Sequence, residues 1–418
     1  MLQKWIIVII GFSLITSSLL LISSCHKDDT LEPKLEIYSF SPGSGLIGRH
    51  VTLRGNNFIL PVPSEEGAGP HLNTSIVKFN GTEAEAEFVY QDSINMQRIN
   101  VVVPEGATTG PITVTAMGQT ATSSEDFVIT FPDYIPNVTV STAHSYGGID
   151  LDIDADGNLY VAENHLREIV KIRPDGSLIT VWSWDSIGPE IPRGITVDKD
   201  GNVYATVDNS IIKIGKDGMV TTLAGSSNSG YADGSGENAK FYFPFGLTVD
   251  SVGNVYVADL LNYKIRKISP SGVVITIAGS TQFEGPIDVA LDKEGELLVA
   301  DGNNIRKITP DGFVSTVAGT TQGFLDGAIN MAQFGSIRGL IVDPSGNIFL
   351  CDSDNSSVRK ISFDGTVSSV AGSTFGCTDG PGHLAKFSLT KGLTMDSDGA
   401  LYLTTGGGAE KVRKIVID

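Results

Sequence analysis

The sequence predicts an all-β protein in which a β-sandwich is followed by a six-bladed β-propeller. Three observations carry that expectation. After residue 30 no stretch holds apolar residues at helical spacing for several turns, whereas short alternating or apolar runs bounded by Gly, Asp, Asn and Pro recur to the end. About seven such runs crowd into residues 35–130, a density suited to a sandwich. From residue 137 onward one pattern recurs six times. A chain of 418 residues is also longer than a single core usually organises.

Residues 1–24 stand apart. Lys4 precedes an uncharged, mainly apolar run from Trp5 to Ile22, and small residues Ser23 and Ser24 lead to Cys25. The pattern is that of a signal peptide, although the run also approaches the length of a membrane-spanning helix. Ile22-Ser23-Ser24-Cys25 resembles a bacterial lipobox, which implies lipidation of Cys25 and attachment to a membrane through acyl chains alone. His26-Lys27-Asp28-Asp29 resembles the export signal of Bacteroidetes surface lipoproteins, and equally suits a solvated tether over residues 25–33. The resemblance places the protein on the outer membrane, facing the exterior. A net charge of −19 disfavours nucleic acid as a partner, because phosphate contacts need a basic footprint.

Residues 34–131 form the first expected domain. Leu35 to Phe40 alternates and stops at Ser41-Pro42-Gly43; His50 to Arg54 stops at Gly55-Asn56-Asn57-Phe58. Ser75 to Phe79 runs into Asn80-Gly81, a type I′ hairpin signal, and further strands are expected at Arg98–Val103, Gly110–Thr115 and Phe127–Ile129. Val51-Thr52-Leu53, Gly55-Asn56-Asn57-Phe58, Val77-Lys78-Phe79-Asn80-Gly81 and Gly110-Pro111-Ile112-Thr113-Val114 together resemble the immunoglobulin-like IPT/TIG family. That family implies a spacer or interaction module. Ile59 to Asn73, rich in Pro and Gly, reads as an irregular loop.

Residues 132–418 form the second. Val197-Asp198-Lys199-Asp200-Gly201-Asn202-Val203-Tyr204 has near-copies at Val249–Tyr256 and Val342–Phe349, with further copies at Ile153–Tyr160, Leu291–Leu298 and Met395–Tyr402. A Lys-Ile pair follows each, at Lys171, Lys213, Lys267, Lys307, Lys360 and Lys414, then a polar turn and another strand. Four strands per repeat make a propeller blade. Val299-Ala300-Asp301 and Ile305-Arg306-Lys307-Ile308 resemble the NHL repeat. The last repeat stops after its third strand, so residues 137–141 are expected to close the ring as the missing outer strand.

Repeat phase places the long connections 225–244, 319–337 and 372–390 on one face, the top, together with the residues that open the inner strands: Ile149, Arg193, Phe245, Ile287, Arg338 and Lys391. Three cations at a channel mouth suit an anionic ligand, or else pair with Glu163, Asp259, Asp301 and Asp352. Tyr231, Tyr242, Phe243, Tyr263, Phe324 and Phe375 are candidates for stacking on sugar rings, and the non-repeating Tyr231, Tyr242 and Trp184 are the better candidates for function; Phe241, Phe334 and Phe387 recur too regularly to be more than plugs.

His144, His165 and His383 share the top by phase and offer an alternative zinc site, of interest because NHL-type amidating lyases use metal. Asp152 to Asn158 resembles the start of a calcium loop but carries a hairpin phase. Cys351 reads as a small buried residue, with a bond to Cys377 as an alternative.

No nucleophile elbow, Walker loop or paired-His motif is present, and no catalytic residues or cofactor are assigned. The expected function is non-catalytic capture of a surface ligand, a glycan above all, within a nutrient-capture system. The alternatives are a metal-dependent lyase or hydrolase and a scaffold for an outer-membrane protein partner.

Overall fold

In a computed structural model the described residues are 34–418 apart from 42, 46–49, 57, 59–74, 85, 94–95, 105–106, 117, 130–134, 184–189, 280, 373 and 407–409. Cys25, the tether, the whole of the 59–73 loop and Trp184 therefore lie outside them. No described helix is long and apolar enough to cross a membrane.

The N-terminal part has two sheets. One orders its strands Glu36–Ser41, His50–Asn56, Met96–Val102, Ala86–Ser93; the other Ser44–Gly45, Gln119–Ile129, Gly110–Ala116, Ile76–Phe79, Thr82–Ala84. They share one core, in which Val51, Leu53, Val77, Phe79, Ile99, Ile112, Val114 and Phe127 are fully buried. Alternation puts them there: Gly110–Ala116 buries every second side chain. Asn80 and Gly81 both have positive φ, as a type I′ turn requires, and Phe79 pairs with Thr82 across it. Two strands exceed the expectation, Ala86–Ser93 and the long Gln119–Ile129. The latter escapes a hydrophobic reading because its inward positions are small: Ala121 and Ser123 are buried, and Ser123 accepts from the Ile112 N–H.

Six more sheets follow, each a meander from inner to outer strand. Their inner strands are Asp150–Ile153, Pro192–Val197, Pro244–Val249, Pro286–Leu291, Ile337–Val342 and Thr390–Met395, and each lies against the next, the last returning to the first. We number the sheets in that order. In the sixth, Lys411–Ile417 pairs antiparallel with Val138–His144, which therefore supplies the outer strand from the N-terminal side of the repeats. The Asp-x-Asp-Gly-Asn motif makes the hairpin between first and second strands. Asp198 Oδ1 accepts the N–H groups of Asp200 and Asn202, and Gly201 at φ 81° supplies the left-handed residue. Lys213 sits over the Tyr204 ring, whose hydroxyl donates to Asp198, and the same trio recurs as Lys267, Tyr256 and Asp250.

The three long connections share one build. Each carries a short strand (Gly234–Ser235, Gly327–Ala328 or Gly380–Pro381) that pairs with the outer strand of the following sheet. Phe241, Phe334 and Phe387 are fully buried beneath them, as their regular recurrence suggests.

Candidate functional site

The inner strands converge on a channel. Of the six residues that open them, Ile149, Phe245, Arg338 and Lys391 line a cavity with Asp150, Gly246, Asp288 and Gly392. Its space is about 10 Å³, roughly enough for one water and far too small for a sugar ring. Arg193 turns away from that cavity: it is buried, stacks on Phe243 at 3.9 Å and donates to the Asp208 carbonyl at 2.9 Å. Ile287 packs into the core near Ala290 and Leu340.

The next residue along each inner strand is Asp150, Gly194, Gly246, Asp288, Gly339 and Gly392 in turn. Glycine is required by close approach, since a Cβ on Gly246 would lie 2.0 Å from Asp288 Oδ1 and one on Gly392 2.2 Å from Asp150 Oδ1. The two carboxylates join neighbouring sheets that share no backbone ladder there. Asp150 accepts the N–H groups of Leu151 and Ile195; Asp288 accepts those of Val289 and Leu340. Further along the first inner strand, Asp152 accepts from Val197 N–H and from the hydroxyls of Thr196 and Thr394, tying sheet one to sheets two and six.

Burial drives all three carboxyls upward: Asp150 well above the usual range and Asp288 to about 7, with repulsion from neighbouring carboxyls adding to both, and Asp152 by burial against the pull of its hydrogen bonds. Unfolded, such groups ionise near 3.9. The contribution of Asp288 to stability is therefore fully present below about pH 4 and is lost as pH rises through its folded value near 7. Unfolding in urea is expected to show lower stability at pH 8 than at pH 5, by roughly 2–3 kcal/mol from Asp288, since each pH unit between 5 and its folded value is worth about 1.4 kcal/mol. Asp288→Asn should flatten that slope; an unchanged slope would refute the assignment.

Around the mouth the top face is uneven. On sheets two and three Phe243 and Phe245 stack at 6.4 Å, and Tyr242 and Tyr263 are each 45% exposed. The Tyr242 carbonyl accepts from Leu261 N–H, tying the long connection to the loop that carries Tyr263. Phe243 and Tyr263 have φ of 57° and 56°, the left-handed conformation; the Tyr263 ring is exposed, whereas Phe243 is half-buried beneath Arg193. Tyr231 has another role. It covers Arg266 at 5.1 Å, in the place where Phe324 covers Arg359 at 4.2 Å, so it belongs to a repeating feature despite its different chemistry. Phe375 is exposed and pairs through its backbone with Phe387.

That repeating feature is a buried arginine, and sequence reasoning missed it. Arg266 donates to Asp259 and Asp233, each at 2.7 Å, and to the carbonyls of Ala232 and Lys240; Arg359 does the same with Asp352, Asp326, Leu325 and Gln333; Arg413 reaches Asp379, Thr378 and Lys386. The signal was present: an Arg precedes Lys267, Lys360 and Lys414, and each long connection contains Asp-Gly. The acids expected to pair with the mouth cations mostly answer these arginines instead. Asp259 and Asp352 are occupied in that way, and Asp301 pairs with Arg306 at 3.2 Å.

At the junction of sheets six and one, Lys391 pairs with Glu410 at 3.0 Å and His165 Nε2 lies 3.4 Å from the same oxygen. The donor atoms of Glu163, His165 and Glu410 all lie within 4.8 Å of one another. His144 and His383 are not members of that group; His144 Nδ1 accepts the Tyr146 N–H. A three-histidine zinc site is not assembled among the described residues: His144 ends a strand, His165 and His383 lie in separate turns, and His165 alone joins the group, with two glutamates. The calcium-like motif is divided too: Asp152 faces the channel contacts above, and Asp154 is consumed by its own hairpin, accepting from Asp156 and Asn158. Cys351 is buried, which pushes its thiol up, and Cys377 is exposed; both are free.

Comparison with known proteins places both halves. Residues 35–131 match the IPT/TIG domain. NHL repeat-containing protein 2 of Gallus gallus is 26% identical over 288 residues, which take in 55% of this chain and 40% of that protein. The chain spans less than half the length of the first curated relatives it matches. Among solved structures, an auxiliary nutrient binding protein from Bacteroides thetaiotaomicron superposes with a TM-score of 0.54 at 17% identity, covering 92% of this chain and 98% of that one. Another such protein, from Bacteroides ovatus, gives 0.53 at 15% identity, covering 92% and 98%. At these identities the likeness shows the fold. The chain joins an IPT/TIG domain at residues 35–131 to a β-propeller of NHL-type repeats.

Proposed function

We propose that this protein is a non-catalytic, surface-exposed binding lipoprotein that captures a glycan on the top face of its propeller. The observation that carries the reading is a mouth lined by Phe245, Arg338 and Lys391 and too narrow for the ligand to enter, with two half-exposed rings, Tyr242 and Tyr263, on the connections of the same sheet. Flat apolar faces stack on sugar rings, and the cations select carboxylated or sulfated ones. Tyr231 and Arg193 then act as supports, through their stacking on Arg266 and Phe243. A nutrient as ligand is suggested by the Bacteroides auxiliary nutrient binding proteins that share the fold; the choice of a glycan rests on the aromatic rings and cations of this chain.

The same reading takes residues 1–24 as a signal peptide, Cys25 as the lipid-bearing residue on the outer membrane, 25–33 as a tether, 34–131 as a sandwich-shaped spacer and 132–418 as a six-bladed ring. The cyclic order of the inner strands supports the blade count, and the core shared by two sheets supports the sandwich.

A glycan array followed by calorimetry on the protein from residue 26 tests it. An acidic polysaccharide is expected to bind, and an Arg338→Ala, Lys391→Ala double variant to bind at least tenfold more weakly, about 1.4 kcal/mol. Tyr242→Ala should weaken binding similarly, whereas Tyr231→Ala should act mainly on stability. Failure of every glycan to bind would refute the reading.

A further inference from the structure

The repeats provide an internal control for one buried charge. In sheets three, four and five the second strand ends in Asp259, Asp301 or Asp352, each fully buried, and the facing strand supplies Arg266, Arg306 or Arg359 as its counter-ion. Sheet one keeps the acid, as Glu163, which is 4% exposed. It lacks the arginine. Val170 pairs with Val161 in the register at which Arg266 pairs with Val257, so an apolar side chain stands where the cation stands elsewhere.

What gathers at Glu163 instead is a set of donors. Its carboxylate accepts the backbone N–H groups of His165 and Leu166, which hold it in place, and the His165 imidazole and Glu410 carboxylate converge on it. Glu163 is the nine-tenths-buried member of this group, and it has no side-chain partner of opposite charge within ion-pairing distance among the described residues. In the same turn the Asn164 side-chain oxygen is buried with no hydrogen-bond partner.

We infer that Glu163, His165 and Glu410 form a binding site for a divalent transition-metal cation, zinc being the best match, which serves as the counter-ion that sheet one lacks. One imidazole nitrogen and two carboxylates are a borderline donor set that suits zinc better than calcium, which favours oxygen alone. Lys391 pairs with Oε1 of Glu410, the oxygen that lies 3.4 Å from His165 Nε2, and so holds that carboxylate at the site. The site bridges the strand ends of sheets six and one beside the channel mouth, and it stands independently of the glycan reading.

The test is calorimetric titration of the metal-stripped full-length protein with zinc chloride, with thermal unfolding measured in parallel. One site per chain is expected, together with a rise in Tm on zinc addition. His165→Ala and Glu410→Gln should each weaken zinc binding at least tenfold and remove the Tm rise, while His383→Ala, a histidine outside the group, should retain both. His165 is exposed, so its replacement is compatible with folding. Absence of stoichiometric binding to the parent protein would overturn the inference, as would binding that survives both His165→Ala and Glu410→Gln unchanged.

Discussion

Arg359→Ala is expected to destabilise the protein by about 3–5 kcal/mol, the range for breaking a buried ion pair by removing one partner. The arginine side chain is wholly buried and its acids Asp352 and Asp326 are 0% and 4% exposed, so the truncation strands two carboxylates away from water. It also releases the carbonyls of Leu325 and Gln333, and takes away the cation between the rings of Phe324 and Phe334. Lysine is a poor substitute, because a single ammonium cannot reproduce a fork that serves four acceptors. Arg306→Ala should cost much less, its side chain being 22% exposed and bonded to Asp301 alone among the acids. Urea unfolding of the two variants side by side decides the matter. Equal, small losses would mean that the clamp does not hold the long connection down.

Val140→Pro is expected to have an effect of similar size by a different route. Val140 lies in the outer strand of sheet six between Ile415 on one side and Gly380 on the other, and is itself 4% exposed. Proline lacks the N–H, so in a strand paired on both sides it removes a ladder hydrogen bond where sheets admit proline only at edges and bulges. Freeing Lys411–Ile417 would also expose a β edge able to pair with other molecules. The variant should show faster proteolysis within 411–417 and concentration-dependent aggregation. Val140→Ala keeps the N–H and separates lost packing from lost pairing. A proline variant as resistant as the parent would mean that this strand is dispensable.

Much of this architecture was legible because repetition aligns positions that no single repeat explains. The Asp-Gly-Asn hairpins, the Lys-Ile strands, the plugs Phe241, Phe334 and Phe387, and the strand missing from the last repeat all follow from phase. The arginine clamps were easy to pass over for a physical reason: Arg359 next to Lys360 reads as a pair of surface cations, and its partner Asp326 lies 33 residues away, so that only lining up the Asp-Gly of the three long connections with the three arginines links them. Tyr231 looked unique because its counterparts are Phe324 and Cys377, which share a place and no chemistry. The channel carboxylates were overlooked by one residue, since phase singled out Ile149 and Ile287 while Asp150 and Asp288 immediately follow them. The Glu163–Glu410 meeting joins the first repeat to the last, and only closure of the ring brings it about.

That closure also fixes an order of events. The strand Val138–His144 is synthesised before any of the repeats, yet its partner Lys411–Ile417 emerges after all the other strands of the ring. Until then the first strand has only the two-residue pairing with Gly380–Pro381 to join, and sheets one to five gather with a gap on one flank. Folding of the ring is thus coupled to completion of its final strand: a product truncated before residue 411 keeps five whole sheets but no seam. A quality-control protease would meet such a product as an open edge, and would leave the closed ring alone.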